Sequence, residues 1–173
     1  MPIFNLVYWI DKPAPKEVFT FTPWDSTFKS LAKSWYKIKE IVLESTIRFT
    51  WGAQIYMNMC PTNSTSSQTI IKAVFSTVSW NWRQIQTGSD GTSWTTHQSW
   101  WSISTNTNYP VKVTIGRDSW IMDFNGTSTT LTYNTTEKNI IASVFNSATP
   151  YGQTPTYSSS VASNPITYTV TYQ

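Results

Sequence analysis

A single cysteine, Cys60, and a single histidine, His97, remove most of the chemistry that a chain of 173 residues can carry. One thiol forms no intrachain disulfide and supplies no multi-cysteine zinc site. Cys60 therefore reads as a small buried or loop thiol. A Ser–His–Asp triad would have to use His97. Asp90 lies across a turn from it, no motif surrounds the pair, and Gly-x-Ser-x-Gly is absent. His97 stands among Thr96, Gln98 and Ser99 and reads as a strand side chain. There is no His/Cys metal spacing, no glycine-rich phosphate loop and no pair of glutamates in a catalytic setting. Catalysis is not expected. Charge is scarce as well: Asp, Glu, Lys and Arg make up 12% of the chain, about half the usual share. No run of eighteen apolar residues predicts a membrane-crossing helix. Met1 is not followed by the basic start or cleavage pattern of a secretory signal, so synthesis in the cytosol is expected. The sequons at Asn63, Asn125 and Asn134 are chance matches in so threonine-rich a chain.

Aromatic residues are abundant instead, at 16% with ten tryptophans, and Ser and Thr recur throughout. A chain with few charges and many aromatics covers its surface with partners, or offers a carbohydrate-like ligand something to stack on. Trp80, Trp82, Trp94, Trp100, Trp101 and Trp120 lie close together in sequence. One reading is a stacking platform for sugars or bases. The plainer one is a sandwich core with subunit contacts.

The length fits one domain, 1–173. Alternating apolar and polar positions predict strands at 3–10, 17–22, 41–51, 53–59, 69–82, 94–104, 110–116, 119–124, 129–134, 139–145 and 165–172. Asn125-Gly126 is a hairpin signal. So many short strands predict an all-β antiparallel sandwich, an eight-stranded jelly roll being one standard way to hide sheet edges. Helical spacing is expected once, over about 25–39, after the second strand. Phe28, Leu31 and Trp35 fall on one face of it, packing on Ile47 and Phe49 of the next strand. Asp25 or Ser26 would cap its start. Lys29, Lys33 and Lys37 recur every four residues. They form either a basic stripe facing phosphates or the solvated face of an amphipathic helix.

The order of strand, Pro23, Phe28, Leu31, Ala32, Trp35, Tyr36, Lys37 and a long strand to Phe49 resembles the jelly-roll shell domain of small icosahedral positive-strand RNA virus capsid proteins. The tombusvirus, sobemovirus and nodavirus-like group is meant. The final Ile166-x-Tyr168-x-Val170 strand resembles the end of that shell. The resemblance implies a coat protein that self-assembles into a many-copy shell, located in the virion and made in the host cytoplasm. It implies nucleic-acid contact through Lys29, Lys33, Lys37 and Arg48, and core packing by Phe28, Leu31, Trp35, Ile47 and Phe49. Calcium between subunits would fall to Asp118 and Asp123, the only metal candidates. The basic N-terminal arm and protruding domain of the family have no counterpart, so the implied form is a minimal, satellite-type shell. The alternative is a carbohydrate-binding module or lectin with a Trp-rich sandwich face. That reading explains the tryptophans and low charge equally well, and the basic segment poorly.

Overall fold

The computed structural model describes residues 13–22, 27–63, 70–77, 82–88, 94–100, 103–154 and 161–173. Among these residues, thirteen strands and one helix follow in chain order. The first five strands are β1 (Lys16–Phe21), β2 (Lys29–Ser30), β3 (Ile38–Phe49), β4 (Gln54–Cys60) and β5 (Ile70–Ser76). Next come β6 (Trp82–Gly88), β7 (Trp94–Trp100), β8 (Asn108–Ile115), β9 (Ser119–Phe124) and β10 (Thr127–Thr132). The helix α1 (Thr135–Phe145) precedes β11 (Tyr151–Gln153), β12 (Val161–Ser163) and β13 (Ile166–Tyr172).

Two antiparallel sheets stack as a sandwich. Sheet A runs β1-β13-β3-β8-β9-β10, with β12 also paired to β3, and sheet B runs β2-β11-β4-β5-β6-β7. The all-β expectation holds, with more strands than eight. Alternation builds the core. On β3, Ile41, Leu43, Ile47 and Phe49 are buried while Glu44 and Arg48 are exposed. They meet Ile55, Met57 and Met59 of β4 and Ile71, Ala73 and Phe75 of β5 in one core cluster. The sheets interlock through rings: Phe75 stacks on Phe124 at 5.8 Å, and Tyr109 on Phe124 at 5.0 Å. Asn125 and Gly126 take φ of 51° and 81°, the left-handed pair that a two-residue hairpin turn between β9 and β10 demands.

The helix is not where the spacing put it. Residues 27–39 hold the two-residue strand β2, a turn at Ser34 and Trp35, and the start of β3. Of the expected apolar face, Leu31 is buried, Phe28 half-buried and Trp35 100% exposed. Backbone pairing decided the outcome. Leu31 N–H donates to the Pro150 carbonyl (2.7 Å), and Ser30 and Lys29 pair with Tyr151 and Gly152. Ser30 and Ser34 favour such local alternatives over a helix interior. The real helix occupies what reads as a strand at 139–145. Asn134 accepts from Glu137 N–H (2.9 Å) and Glu137 accepts from Asn134 N–H (2.8 Å), a reciprocal capping box. Ile140, Ile141, Val144 and Phe145 then join the core. The C-terminus of α1 is tied to both sheets: Arg117 donates to Asn146 Oδ1 (3.1 Å) and the Ile38 carbonyl (2.9 Å), and Ser147 Oγ donates to the Pro61 carbonyl (2.8 Å). The helix thus closes one end of the sandwich.

The expected strand at 69–82 ends at Ser76, and Trp82 opens a separate, antiparallel strand. The expected strand at 3–10 lies outside the described residues.

Candidate functional site

Register determines which residues share the outer face of sheet B. On β4 these are Gln54, Tyr56 and Asn58, since Ile55, Met57 and Met59 point into the core. Opposite them on β5 stand Ser76, Val74 and Lys72. The same rows continue through the register positions of Trp82, Gln84 and Gln86 on β6 and Trp100, Gln98 and Thr96 on β7. On the other side, Gln153 of β11 stands opposite Asn58. Among the described side chains this face carries the amides of Gln54, Asn58 and Gln153, the Tyr56 phenol and one cation, Lys72.

Its described part is held in place by its own contacts. Tyr56 Oη donates to Gln54 Oε1 (2.7 Å), and Lys72 Nζ lies 5.3 Å from the centre of the Tyr56 ring. Asn58 Nδ2 donates to Gln153 Oε1 (3.2 Å), while Asn58 Oδ1 is a buried acceptor without a hydrogen bond. Val74 and Ser76 are fully buried at the base, with Gln54, Tyr56 and Lys72 half-buried beside them. From below, Tyr168 of sheet A donates to the Gln153 carbonyl (3.0 Å) and the Asn58 carbonyl (3.3 Å), which fixes β4 and β11. Partial burial lowers the Lys72 pKa from its ordinary value by stripping water from the ammonium. Rigid amides that can both donate and accept, set beside an aromatic ring, suit a ligand dense in hydroxyls.

Cys60 shares these rows at the end of β4 and is fully buried. Burial pushes its thiol up to about 12, against a smaller opposing pull from Lys72. The folded thiol holds its proton more tightly than the unfolded one. It therefore adds stability below the ordinary thiol range, and this is lost as the pH climbs towards 12. Native protein is expected to resist iodoacetamide at about pH 8 and to react once unfolded in urea. Rapid alkylation of the native chain would place the thiol at the surface.

The other residues singled out from the sequence lie apart. Lys29 Nζ donates to the Thr20 carbonyl (2.6 Å), Lys33 pairs with Glu17, and Lys37 Nζ donates to the Asn146 carbonyl (2.6 Å). They share no helical face, so the basic stripe does not exist. Arg48 donates to Asn106 Oδ1 (3.1 Å) on the outer side of sheet A. Ile47 and Phe49 are buried in the core, but no helix over 27–39 packs on them; Phe28 meets Tyr151 edge-on at 6.2 Å. Asp118 pairs with Lys138 (3.3 Å) and Asp123 accepts from Ser128 Oγ. They stand at opposite ends of β9, roughly 16 Å apart by strand rise, and cannot share one calcium ion. Trp120 is buried in the core, His97 lies on β7 opposite Ile85, and Trp80, Trp101 and Asp90 lie outside the described residues. A groove of about 430 Å³ crosses the outer face of sheet A, but Lys112 and Glu44 pair within it (3.3 Å), and its charges are answered locally.

No family model and no curated protein sequence matches the chain. Solved structures do. A carbohydrate-binding module of the evolved Dit protein of a Lactobacillus casei phage superposes with a TM-score of 0.58 at 10% identity, covering 88% of this chain and 76% of that one. A Caenorhabditis elegans galectin gives 0.54 at 10% identity over 90% and 95% of the two chains. Sheep galectin-11, solved with glycerol, gives 0.53 at 8% identity over 83% and 100%. At these identities the likeness is one of fold. It nevertheless overturns the capsid resemblance, which rested on a helix expected over about 25–39, where the described residues 27–39 form none. The sandwich is of the kind seen in galectins and carbohydrate-binding modules. The implied coat-protein function, shell self-assembly, nucleic-acid partner and virion location fall with that resemblance.

Proposed function

We propose that this protein binds carbohydrate, without catalysis, through the outer face of sheet B. The observation that carries the reading is the clustering of Gln54, Tyr56, Asn58, Lys72 and Gln153 on that face, continued by Gln, Thr and Trp register positions on β6 and β7. Amides donate and accept at once, as pairs of sugar hydroxyls require. The Tyr56 ring gives an apolar surface for the carbon–hydrogen side of a pyranose, with its hydroxyl fixed by Gln54. Asn58 and Gln153 are buried and hydrogen-bonded to each other, and so brace β4 against β11 beside the half-buried Gln54, Tyr56 and Lys72. The galectin and carbohydrate-binding folds among the structural neighbours support the same reading.

Screening the chain on an array of neutral and acidic oligosaccharides should give retained glycans. For a retained glycan, Tyr56→Ala is expected to weaken binding by about tenfold or more, the effect of losing a central aromatic contact. Trp35→Ala, at the far tip of the β2–β3 turn, should leave that affinity unchanged. An array with no retained glycan, or a Tyr56→Ala protein that binds as the parent does, contradicts the proposal.

A further inference from the structure

One end of the sandwich carries features that glycan binding on sheet B does not use. Trp35, at the tip of the turn between β2 and β3, is 100% exposed and sits at φ 71°. A bulky side chain in the left-handed region is a strained outlier, kept only where the surroundings impose it. The imposing contacts are present. Tyr36 N–H donates to the Lys33 carbonyl (3.1 Å), and Lys37 and Gln173 exchange two backbone bonds of 2.9 Å. The fold thus holds a bare indole outward on a convex tip, with Tyr36 beside it 44% exposed.

Cations surround this tip. Lys33, Lys37 and Lys39 lie within four residues of Trp35. Beside them a depression of about 610 Å³ is lined by Lys16, Lys39 and Arg117, with Glu40 and Asp118 as its carboxylates. Asp118 is already paired with Lys138, while Lys16, Lys37 and Lys39 have no carboxylate partner among the described residues. Among the described residues at this end, Lys16, Lys33, Lys37, Lys39, Arg117 and Lys138 outnumber the carboxylates Glu17, Glu40, Asp118 and Glu137.

We propose that this end docks on an anionic lipid bilayer. Trp35 and Tyr36 enter the headgroup layer, where amphipathic rings are favoured. The lysines around them meet lipid phosphates and carboxylates. A glycan is the poorer occupant here. The amide side chains that pair with hydroxyls on sheet B are missing from residues 33–39, where Ser34 and three lysines stand instead. A protruding wedge also fits a yielding surface better than a chain that would have to wrap around it.

The test is co-sedimentation of the full chain with phosphatidylcholine vesicles, with and without about 30 mol % phosphatidylserine. The parent should partition roughly tenfold more strongly onto the anionic vesicles, less so at high salt as charges are screened. Trp35→Ala should lose most of that partition while keeping the parent's circular dichroism and melting temperature. Trp35→Phe should recover part of it, and Lys37→Gln with Lys39→Gln should lower it by several-fold. Three results would each overturn the proposal: no preference for anionic vesicles, unchanged partition of Trp35→Ala, or capture by a soluble sulfated polysaccharide that depends on Trp35 while vesicles are ignored. Because the sheet B variant Tyr56→Ala should partition like the parent, this experiment and the glycan array fail independently.

Discussion

Tyr168→Ala is expected to lower the unfolding free energy by about 3–5 kcal/mol, the range for emptying a buried aromatic site. Tyr168 lies on β13, is fully buried, and reaches from sheet A across the core. Its ring packs against Phe21 at 4.4 Å, and its hydroxyl donates to the carbonyls of Gln153 and Asn58. Truncation leaves a cavity between the sheets and removes a hydrogen bond from each of two sheet B strands. Burial pushes the phenol well above its ordinary range, so the neutral hydroxyl is the donor at any working pH. Tyr168→Phe isolates the polar part and should cost about 1–3 kcal/mol, since the two carbonyls lose their donor. Urea melts with unchanged slope read both numbers. A loss under about 1 kcal/mol for the alanine variant would mean that the sheets do not meet through this ring.

The second large effect comes from adding atoms. Gly152 of β11 faces the same ring pair. A Cβ there would lie 2.9 Å from Phe21 Cζ, 2.9 Å from Tyr168 Cε2 and 3.1 Å from Tyr168 Cδ2. Both rings are buried and rigid, so the neighbours cannot simply swing away. Gly152→Ala should cost about 1–3 kcal/mol through overpacking. Tyr168→Ala vacates the space that this methyl needs. The double variant should therefore be clearly less destabilised than the sum of the two single changes. Strict additivity would place Gly152 away from the ring pair.

Much of the sandwich is legible in the residues. Asn125-Gly126 marks the β9–β10 hairpin because few other pairs tolerate two left-handed positions. The alternation over Ile166–Tyr172 and through β3 identifies half-buried strands, and it places Ile47 and Phe49 in the core. The helix was misplaced for a physical reason. Phe28, Leu31 and Trp35 match helical spacing, yet three apolar residues over eight positions also suit a loop that buries Leu31 and exposes Trp35. Tertiary pairing with β11 outweighs so weak a local preference. At Asn134 the opposite happened. The Asn134-x-x-Glu137 capping signal precedes Ile140, Ile141, Val144 and Phe145, but a short apolar run does not distinguish a buried helix from a strand.

The candidate face was less legible because no local motif defines it. Gln54-x-Tyr56-x-Asn58, Gln84-x-Gln86 and Thr96-x-Gln98 each show polar side chains at every second position, which marks a polar strand face. Only the register of β4 with β5, β6 and β7 joins them into one surface. The sequence-level stripe of Lys29, Lys33 and Lys37 failed for the converse reason. It assumed a helix, and without the helix each ammonium finds a separate partner.

The outer face of sheet B is the proposed carbohydrate surface. Its most direct test is nuclear magnetic resonance of isotope-labelled protein titrated with an oligosaccharide retained on the array. Amide shifts should move along Gln54–Cys60, Ile70–Ser76 and the paired strands β6 and β7, with sheet A and the Trp35 turn undisturbed. Shifts centred on β1, β3 and β8 of sheet A, or on the Trp35 turn, would contradict it.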